Sequence, residues 1–220
     1  MIDLNKSLEV FNPEKVTKRV HIIGCGAVGS HVAEIIARLG ITKIALYDDD
    51  VVASHNIANQ NFVFNDIGRP KTEVVAERIL AINPECDVQI HGRWEPEGVM
   101  SGTAILCVDS VVPRQKMAEF MLFNPKLVVA DFRMGLFSGQ FYLATYETAE
   151  YYAQTLNFTD EEADKNVPMS ACNFELSVVY SIWSMLGYGF HELVKYWNDP
   201  QHYKPTLTTV IDMNAGVIRI

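Results

Sequence analysis

The chain has 220 residues, 49% of them hydrophobic and 20% charged, which is enough apolar content for a buried core and excludes a disordered chain. Acidic residues outnumber basic ones 27 to 18, a net charge of -9, which argues against the clustered Lys and Arg of a nucleic-acid binder or a basic membrane-surface helix. The four cysteines, Cys25, Cys86, Cys107 and Cys172, form no Cys-x-x-Cys pair, so neither a zinc clip nor a disulfide framework is expected, and the thiols suit a reducing compartment.

The first residues, Met-Ile-Asp-Leu-Asn-Lys, break their apolar positions with charge and read as no secretory signal, so a cytoplasmic protein is expected. Residues 20–23 form a buried strand candidate that ends at Gly24. Val28, Val32, Ile35, Ile36 and Leu39 then recur at helical spacing, and Gly40 stops the helix. A second strand over 43–47 runs into three aspartates. Residues 54–69 are polar, Pro70 suits a first helical position, and the helix to Ile82 buries Val74, Val75 and Ile79 before Asn83-Pro84 breaks it. Strands follow over 88–91, 104–108 and 127–130, with a helix over 113–123 between the last two. This alternation predicts an α/β fold, a Rossmann-like doubly wound, mostly parallel sheet.

After Asp131 the pattern changes. Residues 140–146 read as a strand with no helix before it, hence antiparallel, the start of an antiparallel C-terminal extension. Residues 147–168 are polar and acidic, a long loop with one helical turn, and such length is usually functional or mobile. The 15 charge-free residues 176–190 include Gly187 and Gly189 and fall short of a bilayer span. They read as a buried helix, its Tyr180, Trp183, Met185 and Phe190 serving the core or a subunit interface. Residues 207–212 and 217–220 close the chain as a hairpin around Asn214-Ala215-Gly216. One domain over 1–220 is expected, with a nucleotide-binding half (about 18–131), a crossover loop (about 147–172) and a C-terminal helix and hairpin (173–220).

Gly24-Cys25-Gly26-Ala27-Val28-Gly29 matches G-x-G-x-x-G and lies between strand and helix, where glycines permit a tight turn and helix amides favour an anion. Asp48 ends the next strand, where a carboxylate accepts hydrogen bonds from a ribose. Alone, this pair reads as a nucleotide site with NAD as first choice, or as a glycine turn used only for packing. The residues from Asp48 onward are unlike those of a dehydrogenase: Asp48-Asp49-Asp50-Val51-Val52, then Ser54-His55-Asn56-Ile57-Ala58-Asn59-Gln60, Gly68-Arg69-Pro70-Lys71, Asn83-Pro84, and Val108-Asp109-Ser110 with Arg114 beyond.

In these motifs the chain resembles the ThiF/MoeB/HesA family, the bacterial relatives of ubiquitin-activating enzymes. The family's glycine loop, D-x-D-x-V, S-N-L-x-R-Q, G-x-x-K, N-P and D-N follow in the same order over residues 20 to 115. More loosely, Asp131-Phe132-Arg133-Met134 with Gly139-Gln140 matches a later strand, and Cys172 falls where many members carry a cysteine. The resemblance implies ATP and magnesium as cofactors and adenylation of the carboxy-terminal glycine of a small β-grasp carrier by a homodimer. It implies that Gly24, Gly26, Gly29, Asp48 and Asp50 frame the nucleotide. Asn56, Asn59 and Gln60 would line the phosphate site, Lys71 would contact phosphate, Asp109 would engage magnesium, and Cys172 is a candidate nucleophile.

Two departures stand out: Asn59 replaces the family arginine, a permanent phosphate contact, and Ser110 replaces asparagine. Lys15, Lys18, Arg19 and Arg69 are candidates to replace the missing cation. Plainer readings stay open at several positions. Asp49 and Asp50 also fit a solvated acidic turn, Lys71 a surface lysine, and Cys172 a small buried residue at a helix start. Tyr151, Tyr152 and Phe158 fit either a lid over the substrate or an irregular loop. The rival functions are a nucleotide-binding subunit that no longer catalyses, an NAD-dependent oxidoreductase and, disfavoured by the acidic balance, an enzyme acting on a tRNA base.

Overall fold

The computed structural model describes residues 2–165, 176–204, 209–212 and 216–219. Five strands run parallel: β1 (Val20–Ile23), β2 (Lys43–Tyr47), β3 (Asp87–His91), β4 (Gly102–Leu106) and β5 (Leu127–Met134). Three more, β6 (Ser138–Ala144), β7 (Thr209–Asp212) and β8 (Gly216–Arg219), are antiparallel. They form one eight-stranded sheet in the order β3-β2-β1-β4-β5-β6-β7-β8. The chain winds outward from β1 in one direction and returns beside it as β4, so a crevice opens at the carboxyl ends of β1 and β4.

Val20, Ile22, Ile44, Leu46, Ile105 and Leu106 are wholly buried, as the central strands of a sheet covered on both faces must be. Helices α1 (Gly29–Arg38) and α2 (Lys71–Ile82) pack on one face, and the apolar helix, here named α6 (Val179–Asn198), continues that layer through Met185, Phe190 and Trp197. On the other face α3 (Val112–Met121) and α4 (Ala149–Gln154) bury Met117, Met121 and Tyr152 against β4, β5 and β6. No helix among the described residues is long and apolar enough to cross a membrane.

Several boundaries differ from the expected ones for local reasons. Pro70 precedes α2 rather than starting it, because a bridge to Val51 holds it extended, with ψ 131°. β4 ends at Leu106, and the carbonyls of Val108, Asp109 and Ser110 beyond it accept from the Arg114 guanidinium instead of a neighbouring strand. The acidic stretch after β6 is not one loop with a single turn. It contains a 3-10 turn (Tyr146–Thr148), α4, and α5 (Asp160–Asp164), which opens with a reciprocal capping box between Thr159 and Glu162. Ala149, Tyr152 and Leu156 are its buried stripe, so Tyr152 belongs to the core and not to a lid. α6 runs on to Asn198, and the strands of the closing hairpin are β7 and β8, its tip lying outside the described residues.

Candidate active site

The glycine turn is shaped by packing at both ends and left open in the middle. Gly24 adopts φ +91°, and a Cβ there would stand 2.8 Å from the Cys107 carbonyl oxygen. At Gly29 a Cβ would fall 1.8 Å from the Gly24 oxygen, so only glycine lets α1 start this close to the turn. At Gly26 the nearest atom would be Gln60 Nε2 at 3.9 Å, which leaves room for a ligand against the backbone. α1 carries no side-chain cap at its amino end, and its Ser30 and His31 amides donate to the Gly26 and Val28 carbonyls at 3.1 and 3.2 Å, so an anion would meet the amides of the glycine turn that precede them.

Asp48, just beyond β2, clamps this turn: Oδ2 accepts from the Cys25 amide at 2.6 Å and Oδ1 from the Asp50 amide at 2.8 Å. Each oxygen keeps a second lone pair, which is what a ribose hydroxyl would use. Asp50 faces Lys71, whose Nζ donates to Oδ2 at 2.8 Å, and the Lys71 amide donates to the Asp50 carbonyl at 3.0 Å. The lysine is 7% exposed, so it is not a surface lysine, while Asp50 is exposed. Asp49 points outward and pairs with Arg93. Asp48, Asp49 and Asp50 bring carboxylate oxygens within 4.8 Å of one another.

Asn56, Asn59 and Gln60 lie on a 3-10 turn (Ser54–Ala58) and the residues after it. Asn56 is buried and spends its Oδ1 on the Ala53 amide at 2.8 Å, while its carbonyl accepts from the Asn59 and Gln60 amides. Its main work is to fold this turn. Gln60 reaches over Gly26, and its buried Oε1 has no hydrogen-bond partner. A buried acceptor left unpaired costs about 1–3 kcal/mol, an expense that a bound ligand or water would relieve. Turned about its last bond, the same amide would present its NH2 to a phosphate oxygen. Asn59 is half-buried at the end of the turn.

Asp109 is exposed past the end of β4, with one oxygen held by the Ser110 amide at 2.8 Å. With phosphate and water supplied by a ligand, the second oxygen would serve a hard cation such as magnesium, which is satisfied by one or two carboxylates. The Asp109 turn is fixed from beneath by a buried charge chain. Arg114 donates to the carbonyls of Val108, Asp109 and Ser110 and to Asp131 Oδ1 at 2.9 Å. Asp131 Oδ2 accepts from Arg133 at 2.7 Å and from the Tyr152 hydroxyl at 3.0 Å. Burial alone would raise the Asp131 pKa, but Arg114 and Arg133 outweigh it and hold the carboxyl below its ordinary range. Burial, with Asp131 beside it, pushes the Tyr152 hydroxyl well up, so it stays a donor. The run Asp131-Phe132-Arg133 was the visible sign of this chain, but its pairing with Arg114 and Tyr152 is tertiary.

Three of the four candidate replacement cations lie at the wrong edge. Arg19 immediately precedes β1 and donates to Ile44 and Asp87 at the amino ends of β2 and β3. Lys18 lies against Gly102 at the start of β4, and Lys15 donates to the Asn198 carbonyl at the end of α6. Arg69 is tied to Glu77 and Asp66. Lys71 is therefore the buried cation beside the glycine turn and Asp50, while the exposed Arg93 pairs with Asp49 at the outer side of the acidic run. Burial pushes the thiols of Cys25 and Cys107 up, and that of Cys86 to about 11, so these three are inert small residues. Cys172 lies outside the described residues.

Comparison with known proteins identifies the family. A profile described as the ThiF family matches residues 14–210. The tRNA threonylcarbamoyladenosine dehydratase of Escherichia coli (strain K12) is 42% identical over 127 residues, 54% of this chain and 46% of that protein. The sulfur carrier protein ThiS adenylyltransferase of the same organism is 31% identical over 121 residues, 51% of this chain and 48% of that one. The ubiquitin-like modifier-activating enzyme 5 of Caenorhabditis elegans is 39% identical over 77 residues, 34% of this chain and 18% of that one. These matches span less than half the length of each relative. Among solved structures, E. coli MccB with ATP superimposes with a TM-score of 0.71 at 18% identity, over 94% of this chain and 65% of that one, a likeness of fold. With the profile running over most of its length, and its glycine turn, acidic run and Lys71 meeting at one edge of the sheet, the chain belongs to the ThiF family.

Proposed function

We propose that the chain is an ATP-dependent adenylyltransferase that activates the carboxy-terminal carboxylate of a small β-grasp carrier protein, acting as a homodimer of single domains spanning residues 1–220. The observation that carries this reading is the meeting of an open glycine turn, the Asp48 clamp, the buried Lys71 and the exposed Asp109 along one edge of the sheet. In such a reaction a carboxylate oxygen attacks the α-phosphorus, the α–β phosphoanhydride bond breaks, and pyrophosphate leaves with the electron pair. Two anions must approach, so the chain's task is neutralisation and alignment rather than proton removal. Lys71 Nζ exchanges its bond to the exposed Asp50 for a phosphate oxygen, the amides of the glycine turn and Gln60 orient the phosphates, and Asp48 fixes the ribose. Magnesium held by Asp109 would spread the charge on the leaving pyrophosphate. Relatives named for ThiS adenylation, molybdopterin-synthase adenylation and ubiquitin-like modifier activation support a carrier protein as partner. Cys172 is our candidate for any thioester step, the other three thiols being buried.

The test is ATP–pyrophosphate exchange by the purified chain with a panel of β-grasp proteins ending in glycine. Carrier-dependent exchange, lost in Asp109→Ala, is the expected result. ATP binding without exchange by any carrier overturns catalysis on carriers and leaves a binding subunit, for which Asn59 is the argument. Tight NADH binding in place of ATP overturns the nucleotide assignment. A second reading, a carboxylate carried on tRNA, is favoured by the 42% identity to the tRNA enzyme and opposed by the charge of -9. Adding bulk tRNA as a separate arm of the same assay decides between them.

A further inference from the structure

Two sets of polar contacts join the turn after β4 to the segment that follows β6, and the backbone from Thr155 to Asp160 closes them into a ring. From the Asp109–Ser110 carbonyls it passes through Arg114 to Asp131, then to Arg133, which donates to the Thr155 carbonyl at 3.1 Å and hydroxyl at 2.9 Å. The ring closes at Asp160, the first residue of α5. Its Oδ2 accepts the Ser110 hydroxyl at 2.8 Å and its Oδ1 the Val111 amide at 2.5 Å. At the start of α3 the Ser110 hydroxyl accepts the Val112 amide at 3.2 Å and the distant Asp160 accepts the Val111 amide, so the two side chains share the capping of this helix. The Asp109 carboxylate is bonded to the amide of Ser110, the residue whose hydroxyl Asp160 holds. A ligand that draws on the Asp109 carboxylate therefore acts on its bond to the Ser110 amide, and so on the residue whose hydroxyl Asp160 holds.

We propose that Asp160 is a positioning residue that locks residues 149–164 to the Asp109–Ser110 turn, so that occupation of the crevice and order in the crossing segment are linked. This rests on the nucleotide reading of the crevice. Linkage is reciprocal: if nucleotide steadies the segment through Asp160, loss of Asp160 weakens the nucleotide.

Hydrogen exchange of the full chain, with and without magnesium and ATP, measures the first half, and calorimetry of magnesium–ATP binding the second. In the wild type, nucleotide is expected to slow exchange in α4, an element other than the one that the Asp160 carboxylate caps. In Asp160→Ala that slowing disappears and magnesium–ATP binds about fivefold more weakly. Asp160→Asn, which keeps an acceptor for the Val111 amide but loses the charge, falls between, and the exposed Glu161→Ala behaves as wild type. A purely capping role would raise exchange at Val111 and leave the response of α4 intact. Retention of either wild-type value in Asp160→Ala overturns the proposal. If that variant does not fold, Ser110→Ala decides: loss of the α4 response supports the proposal and its retention overturns it. A wild type that binds no ATP in the presence of magnesium overturns the nucleotide reading itself, and this proposal with it.

Discussion

Gly26 and Gly29 share one motif and have opposite reasons for lacking a side chain. A methyl at Gly29 collides with the Gly24 carbonyl, so Gly29→Ala is expected to destabilise the fold by about 1–3 kcal/mol or more in chemical denaturation. A methyl at Gly26 meets open space, so Gly26→Ala should melt near the wild-type temperature yet bind ATP about tenfold more weakly in calorimetry, a change of about 1.4 kcal/mol. Asp131 is a buried carboxylate whose ionisation stabilises the fold, because its pKa is lowered on folding by Arg114 and Arg133 against burial. Its contribution is complete above its unfolded pKa of about 4 and is lost as pH falls through the lower folded value. Asp131→Asn leaves Arg114 and Arg133 buried without their carboxylate, and about 3 kcal/mol of stability should be missing at neutral pH. Urea unfolding from about pH 5 to about pH 2 should then show a shallower acid limb in the variant than in the wild type.

Elements with a strong apolar pattern were legible in the sequence, including α6 and the closing strands whose partners lie far along the chain, and those with a thin apolar stripe were not. β1, α1 and β2 announce themselves through apolar periodicity and glycine stops, and they carry the glycine turn and Asp48 with them. α4 and α5 were hidden because acidic composition masked a stripe of only three buried residues, Ala149, Tyr152 and Leu156. Lys71 and Asp109 were readable as residues in motifs, but the Asp50 pairing of one and the Arg114 support of the other arise only when separate segments meet. The connection from β3 to β4 shows the same limit. It has no helix, and Trp94, 5% exposed and edge-on to Phe120 at 5.9 Å, covers the sheet in its place. Trp94→Ala should therefore cost about 3–5 kcal/mol in denaturant unfolding, the penalty of a core residue although it sits in a connection.

Across the whole molecule the two edges of the sheet do different work. At the amino edge Arg19 satisfies carbonyls of Ile44 and Asp87 together with the Asp87 carboxylate, so Arg19→Ala should lose about 1–3 kcal/mol of stability while ATP affinity in calorimetry stays unchanged. An effect on ATP would mean that this cation reaches a crevice at the other end of the strands. At the carboxyl edge α6 begins with Tyr180 and Trp183 more than half exposed, while Met185 and Phe190 are in the core, so the helix splits the two roles that its apolar sequence left open. Trp183 also donates to His31 Nδ1 at 3.4 Å, which sets this aromatic face against the first turn of α1, beside the glycine turn. Exposed aromatics of this kind anchor subunit contacts, and a two-fold contact would place the same face of two chains together. If the proposed homodimer uses it, Trp183→Arg sediments as a monomer and binds ATP more weakly than wild type, with little loss of thermal stability within the chain. Unchanged sedimentation would move the contact elsewhere, and a monomeric wild type would remove the homodimer.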